Sequence, residues 1–258
     1  MTYIRLCVVW LAIAASGANA ALAHPTISDS LPNLVQEVRR SIVGIGTFQA
    51  LRRPPIDLKG TGFVVHDGRY VATNYHVVSG GINVTNMERL VIIVGNGRNY
   101  SDRDAEVIAI DPDHDVAILK ITGNALPPAR LGTGGLMPDG TAIAVTGYPI
   151  GSVLGVYPVT HSGIISAITP IRIPQPDSRL LDAKMILRNP FDVYQLDLTA
   201  FPGNSGSPVY DITSGRVVGI LNSTFVKETK ERALTNPTGI SFAIPVVYIY
   251  QLLQKAGL

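Results

Sequence analysis

Hydrophobic and polar positions change texture three times along this chain. From Leu6 to Ala15 every residue is apolar, with Arg5 just before the run and the small-residue stretch Ser16–Ala23 just after it. A basic flank, a short apolar run and small-x-small sites make a secretory signal peptide over residues 1–23, and cleavage after Ala20 or after Ala23 fits equally. The run is barely long enough to cross a bilayer. A short amphipathic stretch follows, Ser30–Arg40, in which Ser30 is placed as a cap and Leu31, Leu34, Val35 and Val38 share one face of a helix.

From Ile42 onward the pattern is short runs of Val, Ile, Thr and Tyr broken by Gly, Pro, Asn and Asp. The candidate strands are Ile42–Gln49, Gly62–His66, Tyr70–Thr73, Leu90–Val94, Ala105–Asp111, Val116–Ile121, Thr141–Gly147, Val156–Ile168, Tyr194–Leu198, Val209–Asp211, Val217–Asn222 and Gly239–Ile244. Strands this close together, with almost no helical periodicity, predict an all-β fold of barrels or sandwiches. Gly123–Gly140, rich in Gly and Pro, reads as the link between two halves. Pro170–Asp192, with four prolines, predicts an extended surface loop. Pro245–Lys255 opens on proline and is followed by Gly257, the pattern of a C-terminal helix.

Composition narrows the class. With 46% of 258 residues apolar, the chain can bury a substantial core. Lys and Arg number 21 against 19 Asp and Glu, a formal +2, and no basic run exists to grip phosphates, so nucleic acid is not an expected partner. The one cysteine, Cys7, lies in the leader, ahead of most of the apolar run and poorly placed for lipid modification. The mature chain then has none, and its core rather than disulfides must hold it. No His/Asp/Glu/Cys group has metal-ligand spacing, and no glycine-rich phosphate loop opens a helix. No cofactor is expected.

The candidate chemistry centres on Phe201-Pro-Gly-Asn-Ser-Gly-Ser-Pro-Val209. Glycines on both sides of Ser205 suit a tight loop that lifts one hydroxyl clear of the backbone. A serine nucleophile needs such a loop, preset donors for the oxyanion, and a base. Of the five histidines, His76 follows the strand Tyr70–Thr73 and is expected at its end, where a side chain can enter a cleft. His24 lies beside the leader, His66 before an Asp-Gly turn, His114 in a polar loop and His161 within a strand. A carboxylate must hold one imidazole nitrogen, and Asp111, Asp113 and Asp115 compete for that task. Asp115 immediately precedes a hydrophobic strand, whereas Asp111 and Asp113 flank a proline as turn residues do. His76 and Asp115 come from the first half and Ser205 from the second, so a cleft between two units would be complete only when both fold. The Gly-x-Ser-x-Gly elbow of the α/β hydrolases is not matched, because the fifth residue is Ser207.

These residues resemble the trypsin-like serine proteases, specifically the bacterial HtrA/Deg type. The blocks Gly60–Val65, Thr73–Val78, Asp111–Lys120, Ser162–Ala167, Gly203–Gly206 and Gly239–Pro245 fall in that family's order across nearly the whole mature chain. The resemblance implies two six-stranded antiparallel β-barrels with a short N-terminal helix and a C-terminal helix. It places the protease domain at 24–258, with one barrel at about 41–122, a linker at about 123–140, a second barrel at about 141–245 and a helix at 246–256. It implies His76 as general base, Asp115 as its orienter, Ser205 as nucleophile, and the N–H groups of Gly203 and Ser205 as the oxyanion hole. Protein or peptide substrates and a periplasmic or secreted location follow from the same likeness. By position Thr199, Ala200, Ile220, Leu221 and Asn222 line the first substrate pocket, which would suit a small or medium aliphatic side chain.

The departures set the alternatives. The family commonly carries peptide-binding PDZ domains after the protease; this sequence stops at Leu258 just past the last helix, and no such domain is expected. Gly203–Val209 with Val145-Thr-Gly-Tyr-Pro149 looks more like the glutamyl endopeptidases. That sister group pairs acidic specificity with a histidine in the strand after the nucleophile, and Val217–Thr224 contains none. A different class also remains: a catalytically silent, protease-like binding module whose Pro170–Asp192 loop carries a partner.

Overall fold

The computed structural model describes residues 27–149, 155–171, 190–223 and 239–258. The expected leader, His24 and most of the expected loop after Pro170 lie outside the described residues. The described strands number twelve. They are β1 Ile42–Phe48, β2 Ile56–Val65, β3 Tyr70–Thr73, β4 Arg89–Asn96, β5 Asn99–Asp111, β6 Val116–Ile121, β7 Ala142–Gly147, β8 Val159–Ile171, β9 Phe191–Asp197, β10 Pro208–Asp211, β11 Val217–Asn222 and β12 Ile240–Pro245. They close into two antiparallel barrels, β1-β2-β3-β6-β5-β4 and β10-β11-β12-β9-β8-β7.

The three helices with an apolar or functional face are α1 Ile27–Arg39, α2 Tyr75–Val78 and α3 Val247–Lys255. The first starts earlier than expected, so Ser30 lies inside α1 rather than capping it. Pro170 is not loop either: it belongs to β8 and pairs with Asp192, as Ile171 pairs with Phe191. Backbone pairing carries this hairpin past the proline because an edge position tolerates the missing N–H.

Three apolar clusters explain why several strands read as unbroken hydrophobic runs. Along β6, Leu119 and Ile121 point into the first barrel, while Val116 and Ile118 point out of it. That outward face is not wet. It joins Phe63 and Val65 of β2, Tyr148, Tyr210, Val217 and Ile220 of the second half, Val38 of α1, and Ile249, Leu252 and Leu253 of α3 in one buried cluster. The second barrel has its own interior, with Ile143, Val145, Ile165, Tyr194, Leu196 and Leu221. The barrels are therefore joined by a third core, sealed by both terminal helices. No described helix is long and apolar enough to cross a membrane.

Candidate active site

His76 does not end strand β3. The chain leaves β3 at Thr73, turns at buried Asn74 and winds one helical turn, α2, that carries the imidazole. The pull is local and polar: Asn74 Nδ2 and the Tyr75 N–H both donate to the Asp115 carbonyl, at 3.0 and 3.2 Å. A four-residue helix is too short to leave a hydrophobic period in the sequence, which is why an extended end was expected there.

Asp115 sits at the mouth of β6 with φ of 53° and is buried. Aspartate adopts this left-handed conformation at a cost of about 1 kcal/mol, and the return is a carboxylate used on both oxygens. Oδ1 accepts the His76 backbone N–H at 2.8 Å; Oδ2 lies 2.7 Å from His76 Nδ1 and accepts Asn222 Nδ2 at 2.6 Å. Short, charge-assisted bonds of this kind orient the ring and leave Nε2 unengaged by the carboxylate. The competing Asp111 closes a turn, accepting the N–H groups of Asp113 and His114 and holding His114 Nδ1 at 2.7 Å. That second histidine stacks on Tyr248 of α3 at 3.9 Å and meets Phe191 edge-on at 4.8 Å, a packing role between the barrels.

Ser205 is buried in the loop between β9 and β10. Residues 201–204 form a turn in which the Asn204 N–H donates to the Phe201 carbonyl at 3.0 Å and Gly203 has φ of 96°. Proline second and a positive-φ glycine third are the signature of a type II turn. Among the described residues, neither the Gly203 N–H nor the Ser205 N–H is hydrogen-bonded. The Ser205 hydroxyl lies 2.5 Å from Ser223 Oγ and accepts the Ser223 N–H at 3.3 Å. No hydrogen bond joins it directly to His76 among the described residues. The link is indirect, through Asp115, Asn222 and the adjoining Ser223.

Among the described residues, the loop's hydrogen bonds to the other barrel go to Thr61 of β2. Its N–H donates to the Ser205 carbonyl at 2.9 Å, and its hydroxyl donates to the Gly203 carbonyl at 2.8 Å. The same hydroxyl accepts the Tyr148 N–H at 2.9 Å, and the Thr61 carbonyl accepts Thr73 Oγ1 at 2.7 Å. Burial pushes the Tyr148 phenol up to about 12, so it stays neutral and donates to the Gly95 carbonyl at 3.0 Å.

Of the residues expected to line a substrate pocket, Thr199 and Ala200 are half-buried beside the loop. Ile220, Leu221 and Asn222 are fully buried and have other neighbours: the inter-barrel core, the second barrel's interior and Asp115 respectively. His161 of β8 lies beside Phe201, ring centroids 6.0 Å apart, with Nε2 buried and without a hydrogen-bond partner among the described residues. Burial lowers its pKa and favours the neutral ring. Sequence reasoning missed the tasks of Thr61, Asn222 and Ser223. Thr61 stood inside a recognised block and Asn222 at a strand end, but pairing across barrels leaves no local pattern. No group of three or more His, Cys, Asp or Glu among the described residues could hold a metal ion.

Two closed six-stranded barrels with His, Asp and Ser at their junction define a trypsin-like architecture. Residues 60–220 match the family model described as the trypsin-like peptidase domain, and the chain belongs to that family. It is 33% identical over 191 residues to a probable periplasmic serine endoprotease, DegP-like, of Halomonas elongata, covering 72% of this chain and 32% of that protein. A protein of the same description from Ectopseudomonas mendocina is 30% identical over 239 residues, covering 90% of this chain and 43% of that protein. The chain thus spans well under half of these relatives' length. In fold it is similar to Deg5, with a TM-score of 0.63 and 24% identity over 87% of this chain and 92% of the other. It is also similar to the serine endoprotease from Yersinia pestis, with a TM-score of 0.61 and 23% identity over 90% and 67%.

Proposed function

We propose that this chain is an exported serine endopeptidase of the HtrA/DegP type, working on protein or peptide substrates in the periplasm. The observation that supports it best is the unbroken run of contacts from His76 through Asp115 and Asn222–Ser223 to the Ser205 hydroxyl, assembled from both barrels. In this scheme Ser205 Oγ turns from Ser223 to His76 Nε2 and attacks the scissile carbonyl carbon as its proton passes to the imidazole. Catalytic hydrogen bonds of this kind commonly tighten only once substrate is bound. The oxyanion meets the two unbonded N–H groups of Gly203 and Ser205. The C–N bond then breaks, His76 returns the proton to the leaving amine, and water releases the acyl group by the same steps in reverse. Asp115, held on both oxygens, keeps the ring's tautomer and steadies its positive charge. Thr199 and Ala200 contribute the accessible side chains of the first pocket, and the relatives' periplasmic naming agrees with a cleaved 1–23 leader.

A second reading, a silent module built on a protease frame, is favoured by one observation: the Ser205 hydroxyl is bonded to Ser223 and not to His76. One experiment separates the two. The wild-type chain should cleave casein and take a fluorophosphonate label, and Ser205→Ala should lose both, with turnover down about 10⁴-fold or more. Equal labelling of the two proteins, or a wild type that neither cleaves nor labels, would reject the peptidase.

A further inference from the structure

Thr61 is buried completely and belongs to the barrel opposite the nucleophile, yet it meets the nucleophile loop at two carbonyls. Those carbonyls, of Gly203 and Ser205, belong to the two residues whose N–H groups are left unbonded. The Gly203–Asn204 peptide is gripped at both ends, its carbonyl by Thr61 Oγ1 and its N–H by the Phe201 carbonyl. Thr61 Oγ1 has one proton to give. It gives that proton to the Gly203 carbonyl, which can only accept, while one of its lone pairs takes the Tyr148 N–H. The direction of the bond is therefore fixed. Space is fixed as well: a Cβ on Gly206 would lie 1.9 Å from the Thr61 carbonyl, and one on Gly60 would lie 3.0 Å from the Ser205 carbonyl.

From this geometry we infer that the Thr61 hydroxyl is a positioning group for the proposed peptidase reaction, locking the Gly203 peptide so that the loop's N–H groups stay aimed at the oxyanion. The peptide that turns over between type II and its alternative, type I, which requires no positive φ, is the preceding Pro202–Gly203 unit; the Thr61 bond fixes the Gly203 carbonyl on the far side of that glycine, and without it Gly203 is freer to leave its positive φ. In that alternative the Gly203 N–H faces away and a carbonyl takes its place. Thr61 is the contact that holds the turn from the first barrel, so the oxyanion site is set by the docking of the two barrels and not by the loop alone. The same hydroxyl ties Tyr148, and through it the end of β7, to the nucleophile.

The inference rests on the peptidase reading, and the test keeps the two apart. Thr61→Val removes the hydroxyl and keeps the shape; Thr61→Ser keeps the hydroxyl. Thr61→Val should lower kcat on a peptide substrate about 10- to 100-fold, with KM changed less than about 3-fold, a smaller loss than the roughly 10²- to 10³-fold that follows when an oxyanion donor itself is removed. A peptide boronate, which mimics the tetrahedral state, should bind Thr61→Val more weakly by the same factor as the loss in kcat/KM. Thr61→Ser should stay within about 3-fold of wild type in all three measures. Melting curves must show each variant folded; should Thr61→Val not fold, Thr61→Cys, whose thiol is a weak donor, takes its place with the same expected ordering. A folded Thr61→Val with wild-type kcat overturns the positioning role alone, and so does a Thr61→Ser as slow as Thr61→Val. A wild-type chain with no turnover and no fluorophosphonate label overturns the peptidase reading and this role with it.

Discussion

The two barrels hold their share of the site in opposite ways. In the first, His76 and Asp115 are fastened by side chains: a carboxylate with three donors on its two oxygens, and an asparagine that bends the chain off the sheet. In the second, the loop that carries Ser205 is fastened almost wholly by backbone. Asn204 N–H donates to the Phe201 carbonyl, Ser207 N–H to the Asn204 carbonyl, Gly206 N–H to the Leu221 carbonyl, each at 3.0 Å, and Leu221 N–H to the Ser207 carbonyl at 2.8 Å, while Thr61 adds two bonds from across the junction. The first arrangement depends on which residues are present. The second depends on what is absent, since it works only where no Cβ intrudes and the turn can take a positive φ.

The sharpest way to break that contrast is Gly206→Ala. Its φ is 87°, and the added Cβ would lie 1.9 Å from the Thr61 carbonyl and 2.5 Å from Thr73 Oγ1, all in a buried site. Something must move, and the loop is what can. The expected outcome is loss of detectable turnover and of fluorophosphonate labelling, together with a lower melting temperature. A variant that melts early but keeps its labelling rate would show that the loop does not depend on this close approach.

A smaller effect tests the side-chain half. Asn222→Leu removes the bond to Asp115 Oδ2 while keeping the volume. A hydrogen bond to a charged group is worth about 1.5–3 kcal/mol, so kcat should fall about 10- to 100-fold with KM nearly constant. A kcat within twofold of wild type would mean that the two His76 contacts suffice to hold the carboxylate.

The smallest effect lies away from the site and touches stability alone. Glu88, beside β4, is brought down from 4.5 to about 2 by hydrogen bonds from Thr47, the Asn83 N–H and Arg52. A carboxyl lowered on folding contributes stability above its unfolded value, and this is lost as the pH falls through the folded one. Wild type should therefore lose unfolding free energy between about pH 4.5 and pH 2 in a way that Glu88→Gln does not. Denaturant titrations should show the two proteins differing at neutral pH and converging near pH 2. Parallel curves across that range would remove Glu88 from the account.

The primary structure on its own determined the strand inventory, the division into two β units and the candidates for the reactive side chains. Alternating and continuous apolar runs reflect burial, which each strand carries in its own residues. Val116–Ile121 is legible because one face fills a barrel and the other meets its neighbour. Asp115 could be preferred over Asp111 because only the former abuts that run. What folding alone decided is the set of contacts between residues far apart in the chain. Asn222 reaches Asp115, 107 positions away, and Thr61 reaches Gly203, 142 positions away, and neither pair leaves a period or a motif. The helix under His76 belongs to the same class, because a single turn is stabilised by a carbonyl 40 residues downstream of Tyr75 and not by its own sequence. A hydrogen bond between barrels exists only where two finished surfaces meet, and that meeting is a property of the assembled cores.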